Sequence, residues 1–320
     1  MTATSQPAIE LTNLTKRFGS VTALDAVTFD VPRGSIYGFL GPNGAGKTTA
    51  IKILAGLTHA TSGGATVDGI RASAEGAHRR SLGYLAQEPR FYDWMSGRET
   101  LRYVAGFYDG IDHPERRADE LIRLVGIADA ADRKVKTYSG GMRQRLGIAQ
   151  ALVGRPSVVV LDEPAAALDP IGRRDVLELL RALRSEATIL YSTHILEDVQ
   201  RISDHVAILD HGRLVRAAAT QDLLASFSTD RLVVVLGGAS DSTAVDVATL
   251  PGVAGVTIAG PSNGGLGFEV ATRPGAGDAA QAAITRYAAD HGLVLIGNQR
   301  EVLDLESVFL RLVDPQEVAA

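Results

Sequence analysis

The sequence predicts an α/β protein: a phosphate-loop core on a parallel sheet, followed by a smaller α+β domain. Three stretches carry that expectation. Residues 35–40 are a strand-length apolar run leading into Gly41-Pro42-Asn43-Gly44-Ala45-Gly46-Lys47-Thr48, and residues 47–57 then keep a helical pattern with Ile51, Leu54 and Ala55 on one face. Val158, Val159, Val160 and Leu161 form an unbroken apolar run, as a parallel strand covered on both faces requires, and the run ends in Asp162-Glu163. From Arg231 the pattern reads strand (232–236), helix (242–250), strand (253–258), strand (267–270), helix (276–291), strand (293–296), the β-α-β-β-α-β order of a ferredoxin-like domain.

The 320 residues suffice for two domains, placed at 1–227 and 228–320. A net charge of −5 argues against a general nucleic-acid binder or a binder of anionic membranes. There is no cysteine, which excludes disulfides, thiolate zinc sites and iron–sulfur ligation by this chain. No apolar run approaches the roughly 18 residues of a membrane span. Residues 1–8 are polar, with no basic segment before an apolar core, so no signal peptide is expected and the chain is expected in the cytosol.

Residues 41–48 fit the pattern G-x-x-x-x-G-K-[ST]. Glycines let successive N–H groups turn toward one anion, and the following helix adds its positive pole. In that reading Lys47 reaches the β- and γ-phosphates of a nucleotide and Thr48 offers its hydroxyl to Mg²⁺; the plain alternative is a glycine-rich turn. A second helix start, Ser139-Gly140-Gly141-Met142-Arg143-Gln144, repeats the physics: Ser139 reads as the cap of a helix to about residue 153, and the glycines leave the first N–H groups bare. Two such ends suggest two grips on one nucleotide. Asp162 and Glu163, adjacent carboxylates at the end of a buried strand, are costly unless they have partners or work. Asp162 is expected to hold Mg²⁺ through water, and Glu163 to polarise a water against the γ-phosphate. Gln87, at the end of a strand at 81–86 and just before Pro89, either holds a loop or ligates Mg²⁺ and positions water. His194 follows a strand at 187–192, where ligands bind in open α/β sheets.

The remaining elements are simpler. Strands at 9–14 and 26–31 are joined by a polar turn holding Phe18, either a buried anchor or a flat face for a base. Tyr84, Phe91, Tyr92, Trp94, Tyr103, Phe107 and Tyr108 concentrate aromatics in one stretch, which marks either a local core or a docking surface. Ser96 reads as a helix cap, and residues 115–130 as an amphipathic helix ending near Gly126 with Leu121, Leu124 and Val125 inside. Helices are expected at 172–184 and from Thr220 to about 227, a hairpin about His211-Gly212, and a short amphipathic helix at 302–310 that docks.

In this order the motifs resemble the ATP-binding subunit of an ABC transporter, over roughly residues 9–225. The resemblance implies a P-loop NTPase ABC cassette with an antiparallel β subdomain and a helical subdomain (about 88–155), followed by the ferredoxin-like domain. Gly41, Pro42, Asn43, Gly44, Ala45, Gly46, Lys47, Thr48 and Thr49 would bind the nucleotide, and Phe18 would stack on adenine. Glu163, His194 and Gln87 would be catalytic, with Thr48, Gln87 and Asp162 on Mg²⁺. Ser139, Gly140, Gly141, Met142 and Gln144 would form the signature that binds the γ-phosphate of ATP held by a second copy, and Asp169 would close the D-loop that starts at Ala166. One departure stands out: the signature usually reads LSGGQ and here reads YSGGM, with Tyr138 and Met142. YSGGM and the tail from Leu305 to Leu310 are similar to exporter ATPases of the daunorubicin-resistance type. ATP and Mg²⁺ are the implied cofactors. A homodimer and a separate transmembrane permease are the implied partners, with no nucleic acid, at the cytoplasmic face of the membrane. An importer ATPase shares the core but differs in its usual regulatory additions. Against a soluble ABC ATPase stand the single cassette, the absence of zinc-binding cysteines and the lack of a long charged helical insertion.

Overall fold

The computed structural model describes residues 6–73, 75–166, 168–227, 231–301 and 304–313. The chain forms two compact units. One comprises the chain up to Asp222 and the stretch from Phe309; the other is Leu223–Val308.

The first unit opens with an antiparallel sheet. β1 (Ile9–Phe18) pairs with β2 (Val21–Val31) and β4 (Ser62–Val67), and β4 carries the short β5 (Ile70–Arg71). Ile9, Leu11 and Leu14 are buried while Glu10 and Thr12 face water, the alternation of a half-buried strand. The expected break after residue 14 does not occur. The strand runs on through polar Thr15 to Arg17, with irregular register around Leu14 and Lys16. Phe18 therefore closes the strand opposite Val21 rather than lying in the turn.

The second sheet has six strands in the order β10-β9-β3-β8-β7-β6. These are β3 (Ile36–Leu40), β6 (Leu82–Leu85), β7 (Val158–Asp162), β8 (Thr188–Thr193), β9 (His205–Asp210) and β10 (Arg213–Ala219). All neighbours run parallel except β10, which turns back through His211-Gly212. Every residue of β3, β7 and β8 is buried; β3 and β7 are apolar without alternation as far as Asp162, whereas β8 also buries Thr188, Ser192 and Thr193. The register sets Leu40 beside Thr193 and Asp162 beside Ser192, which brings three strand ends to one place.

α1 (Lys47–Leu54) follows β3 and stops short of residue 57, because Gly56 takes a left-handed φ of 68° that ends the helix. α2 (Gly97–Ala105), α3 (Pro114–Leu124) and α4 (Gly140–Ala151) pack on one another. Ser96 caps α2 in a capping box with Glu99. The buried stripe of α3 is Ala118, Leu121 and Ile122, which turns Leu124 out to solvent, contrary to expectation. α5 (Pro170–Leu183) and α7 (Thr220–Ser226) match expected helices, whereas α6 (Leu196–Ile202) was not anticipated; both short helices have seven residues, but α7 opens on Thr220, a cap-type residue, while α6 follows Ile195, which gives no start signal.

The second unit contains β11 (Arg231–Gly237), α8 (Asp241–Ala248), β12 (Val253–Ser262), β13 (Gly265–Thr272), α9 (Gly277–Asp290) and β14 (Val294–Arg300). Its sheet has the order β12-β13-β11-β14, with all neighbours antiparallel. Leu232, Val234, Val253 and Phe268 are buried in its core, and Val256, Leu293 and Leu295 pack against it. α10 (Leu305–Val313) ends the described chain; residues 302 and 303, where the sequence pattern starts that helix, lie outside the described residues.

α6 lies close on β3. A Cβ added at Gly38 would sit 2.7 Å from Val199 Cγ1 and 3.0 Å from Ser203 Oγ. Gly38→Ala is therefore expected to destabilise the protein by about 1–3 kcal/mol, read from the denaturant midpoint, and Val199→Ala in the same chain to recover part of the loss. An unchanged midpoint for the single variant would contradict this packing.

Candidate active site

The C-terminal ends of β3, β8 and β7 meet, and each delivers one part of a site. From β3 the chain enters the glycine loop and then α1. Gly46 caps the helix at φ 106°, a conformation that a side chain resists, and among the described residues no side chain accepts from the first turn. The free N–H groups of that turn and the helix dipole make an anion site. Pro42, Asn43 and Gly44 are exposed, Gly41 and Ala45 are buried, and Thr49 is half-buried.

Lys47 points back across this loop. Its Nζ donates to Gly41 O at 2.6 Å and Pro42 O at 3.1 Å, and lies 3.7 Å from a Glu163 carboxylate oxygen. Both side chains are almost wholly buried, 6% and 5% exposed. Burial pulls the Lys47 ammonium below the usual lysine range, with Glu163 and Asp162 opposing that pull.

Asp162 is the last residue of β7. Its Oδ1 accepts from Ser192 Oγ at 2.6 Å and from Thr48 Oγ1 at 3.3 Å, while its buried Oδ2 has no hydrogen-bond partner among the described residues. An orphaned carboxylate oxygen beside a threonine hydroxyl is the kind of oxygen set that a hard divalent cation takes, so these residues fit Mg²⁺.

Strand alternation would send Glu163 to the opposite face from Asp162. Instead Glu163 adopts a left-handed φ of 50°. That turn carries its carboxylate to Lys47 and to His194 Nδ1, which lies 3.1 and 3.2 Å from the two carboxylate oxygens. A left-handed non-glycine residue stores strain and persists only where its surroundings hold it. Here Ser192 does: its Oγ accepts from Glu163 N at 2.9 Å while donating to Asp162. Ser192 was missed in the sequence. The available signal was a hydroxyl near the end of an otherwise buried strand, two residues before His194.

The structure thus gathers Lys47, Thr48, Asp162, Glu163 and His194, with Ser192 beneath them. Other expected residues stand apart. Gln87 is exposed on a bend past β6, and among the described residues no hydrogen bond joins it to Thr48 or Asp162. Ser139 caps α4 by accepting from Met142 N at 3.2 Å; Ser139 and Gly140 are exposed, while Gly141 and Met142 are half-buried. Gln144 is buried, and among the described residues its Nε2 has no hydrogen-bond partner. Tyr138 is buried and donates to Ala130 O at 2.7 Å, so the unusual first residue of YSGGM anchors the fold rather than presenting a polar group. Asp169 caps α5, its Oδ1 accepting from Gly172 N at 2.7 Å, and residue 167 of the same loop lies outside the described residues. The Phe18 ring is 53% exposed with Lys16 Nζ 4.7 Å from its centroid, an available flat face rather than a buried anchor.

The aromatic stretch divides: Tyr84 packs against the core and Phe91 and Tyr108 are half-buried, while the other four form a surface. Trp94, Tyr92, Tyr103 and Phe107 are exposed and touch in that order, with ring centroids 5.7, 6.0 and 5.1 Å apart. A cleft of ≈ 330 Å³ opens among Arg90, Phe91, Tyr92, Thr100, Tyr103 and Val104. Among the described residues no helix is long and apolar enough to cross a membrane.

A lysine and a threonine from a glycine loop, facing an aspartate–glutamate pair, define a phosphate-loop nucleotide hydrolase. The pattern of the ABC transporter family matches residues 24–166. The chain is 39% identical over 217 residues to the ABC transporter ATP-binding protein YxlF of Bacillus subtilis (strain 168), covering 67% of this chain and 72% of that one. It is 37% identical over 254 residues to the daunorubicin resistance ATP-binding protein DrrA3 of Streptomyces coeruleorubidus, covering 78% and 80%. Among solved structures it resembles a dimeric ATP-binding cassette in a post-hydrolysis state bound to ADP and phosphate, with a TM-score of 0.61 at 25% identity over 66% of this chain and 98% of that one. The chain belongs to the ATP-binding proteins of ABC transporters, and it is an ATPase.

Ser192→Ala should leave the Glu163 N–H buried without its acceptor and leave Asp162 Oδ1 with only the longer Thr48 bond among the described residues. The expected result is a stability loss of about 1–3 kcal/mol with reduced ATPase activity, measured by denaturation and phosphate release. Wild-type stability and turnover together would show that the hydroxyl does not organise the two carboxylates.

Proposed function

We propose that this chain is the motor of an exporter. Two copies close head to tail around two ATP and drive a separate transmembrane subunit from the cytoplasmic face of the membrane. The observation that carries the proposal is the Glu163 carboxylate, buried between Lys47 and His194 and beside Asp162 and Thr48. Lys47 would exchange its loop carbonyls for the β- and γ-phosphate oxygens, which the glycine-loop and α1 N–H groups also hold. Glu163 would orient and polarise the attacking water, and His194 would hold Glu163 and meet the γ-phosphate. Mg²⁺ on Thr48 and Asp162, with Gln87, would neutralise phosphate charge. Phe18 would stack on adenine, and Ser139, Gly140, Gly141, Met142 and Gln144 would grip the ATP of the second copy, with Asp169 facing that copy. The likeness to a daunorubicin resistance protein supports the export direction.

We read the sheet order β12-β13-β11-β14 as support for a ferredoxin-like accessory domain, with domains at 1–227 and 228–320.

Glu163→Gln is expected to keep ATP binding, slow hydrolysis by about 100-fold or more, and trap an ATP-bound dimer on size exclusion. Near-normal turnover would contradict the role given to Glu163. Lys47→Ala is expected to lose nucleotide affinity instead.

The exposed aromatic surface fits the transmembrane subunit. Alanine at both Tyr92 and Trp94 should leave ATPase activity in the isolated chain and abolish transport in membranes carrying the permease. Full transport by the double variant would remove this surface from the coupling path.

A further inference from the structure

The turn that ends at Asp169 and the stretch that carries His194 each run into a helix, and one buried ion pair joins those helices. Asp169 caps α5, whose first backbone bond runs from Arg173 N to Asp169 O at 2.8 Å. His194 stands two residues before α6, and Asp198 lies in the first turn of α6. Arg173 Nε donates to Asp198 Oδ1 at 2.8 Å, and Nη2 lies 2.7 Å from the same oxygen. The Asp198 side chain is 4% exposed. Glu197, nearly free in solvent, approaches Arg173 only to 3.8 Å.

Burial holds the Asp198 carboxyl above the usual carboxylate range even with the guanidinium beside it. Tyr191, fully buried on β8 and bonded through its hydroxyl to Ser203 Oγ at 2.9 Å, shares the electrostatic environment of Asp198 and Arg173. Val199 is seated against Gly38 of β3. α6 is thus held by packing on β3 and by contacts to α5: the Arg173–Asp198 pair at their starts, and near the end of α6 the more exposed Arg201–Glu178 pair and an Arg181 hydrogen bond to Arg201 O.

A buried ion pair is a weak source of net stability, because desolvation offsets most of its attraction. It does fix geometry, since the forked guanidinium accepts few arrangements. Among the described residues, neither partner bonds to Lys47, Thr48, Asp162 or Glu163. What the pair links is the starts of two helices, one led by Asp169 and the other by His194.

We propose that Arg173 and Asp198 are a positioning pair: they hold the His194 segment so that its imidazole meets Glu163, and they tie that contact to the turn at Asp169. A displacement of Asp169, as by docking of a second copy of this chain, then reaches the Glu163–His194 contact through α5 and α6. The proposal rests on the reading of His194 given above.

The test is steady-state ATP hydrolysis by the full chain carrying Asp198→Asn, His194→Ala or both. Asp198→Asn is expected to lower kcat about tenfold while KM for ATP moves less than about twofold, since positioning rather than ground-state binding is lost. Because Asp198 acts through His194, the double variant should be no slower than His194→Ala alone. A pair that only supports the fold would instead lower the thermal midpoint and multiply its effect with that of His194→Ala, which would overturn the proposal. Wild-type kcat in Asp198→Asn, with His194→Ala impaired, would also overturn it and leave the His194 reading standing. Wild-type turnover in His194→Ala would overturn that reading and the proposal with it. Should Asp198→Asn fail to fold, Arg173→Lys keeps the charge and loses the fork, and the same kcat, KM and double-variant measurements decide.

Discussion

A buried ammonium is the constraint on which the core depends. Lys47 sits among two loop carbonyls and the Glu163 carboxylate, with little access to water. Removing a cation from water is tolerable only where oxygens converge on it. The oxygens that do so come from the loop after β3 and from the residue after β7, which are brought together through β8. The continuous burial of those three strands makes that meeting rigid, and the left-handed turn at Glu163 aims the second carboxylate into it.

One hydroxyl connects the Asp162 carboxylate to the backbone of Glu163. Ser192 donates to Asp162 and accepts from the backbone of Glu163, so the pair forms one bonded unit. Among the described residues Asp162 then keeps one oxygen engaged and one unpartnered, while Glu163 keeps both oxygens near His194. The two acids occupy different environments although they are adjacent in sequence. Divergent roles for neighbouring carboxylates arise from such differences in surroundings.

The helical region obeys a different logic. α2, α3 and α4 pack on one another and hold Tyr138 inside, while the aromatics ahead of and within α2 are left outside. Large apolar side chains in contact with each other yet exposed to water are unfavourable for an isolated chain, which is the physical reason for the docking role proposed for them above. The glycine-rich start of α4 is likewise open, capped only by its own serine.

The sequence alone determined the loop chemistry, the buried strands and the alternation of the second unit, because each depends on neighbours within a few residues. A glycine-rich turn before a helix, four consecutive β-branched or leucine residues, and a period of two or 3.6 are local patterns. The family was legible for the same reason: its motifs are short and ordered along the chain. Tertiary structure decided what those patterns could not express. Whether Phe18 and the Tyr92–Phe107 aromatics are core or surface depended on what packs over them. Ser192 gained its role only from strand register, which sets it beside Asp162, 30 residues away in sequence. The left-handed turn at Glu163, the short α6 and the Arg173–Asp198 contact arise from packing between segments distant in the chain, and no local periodicity encodes such contacts.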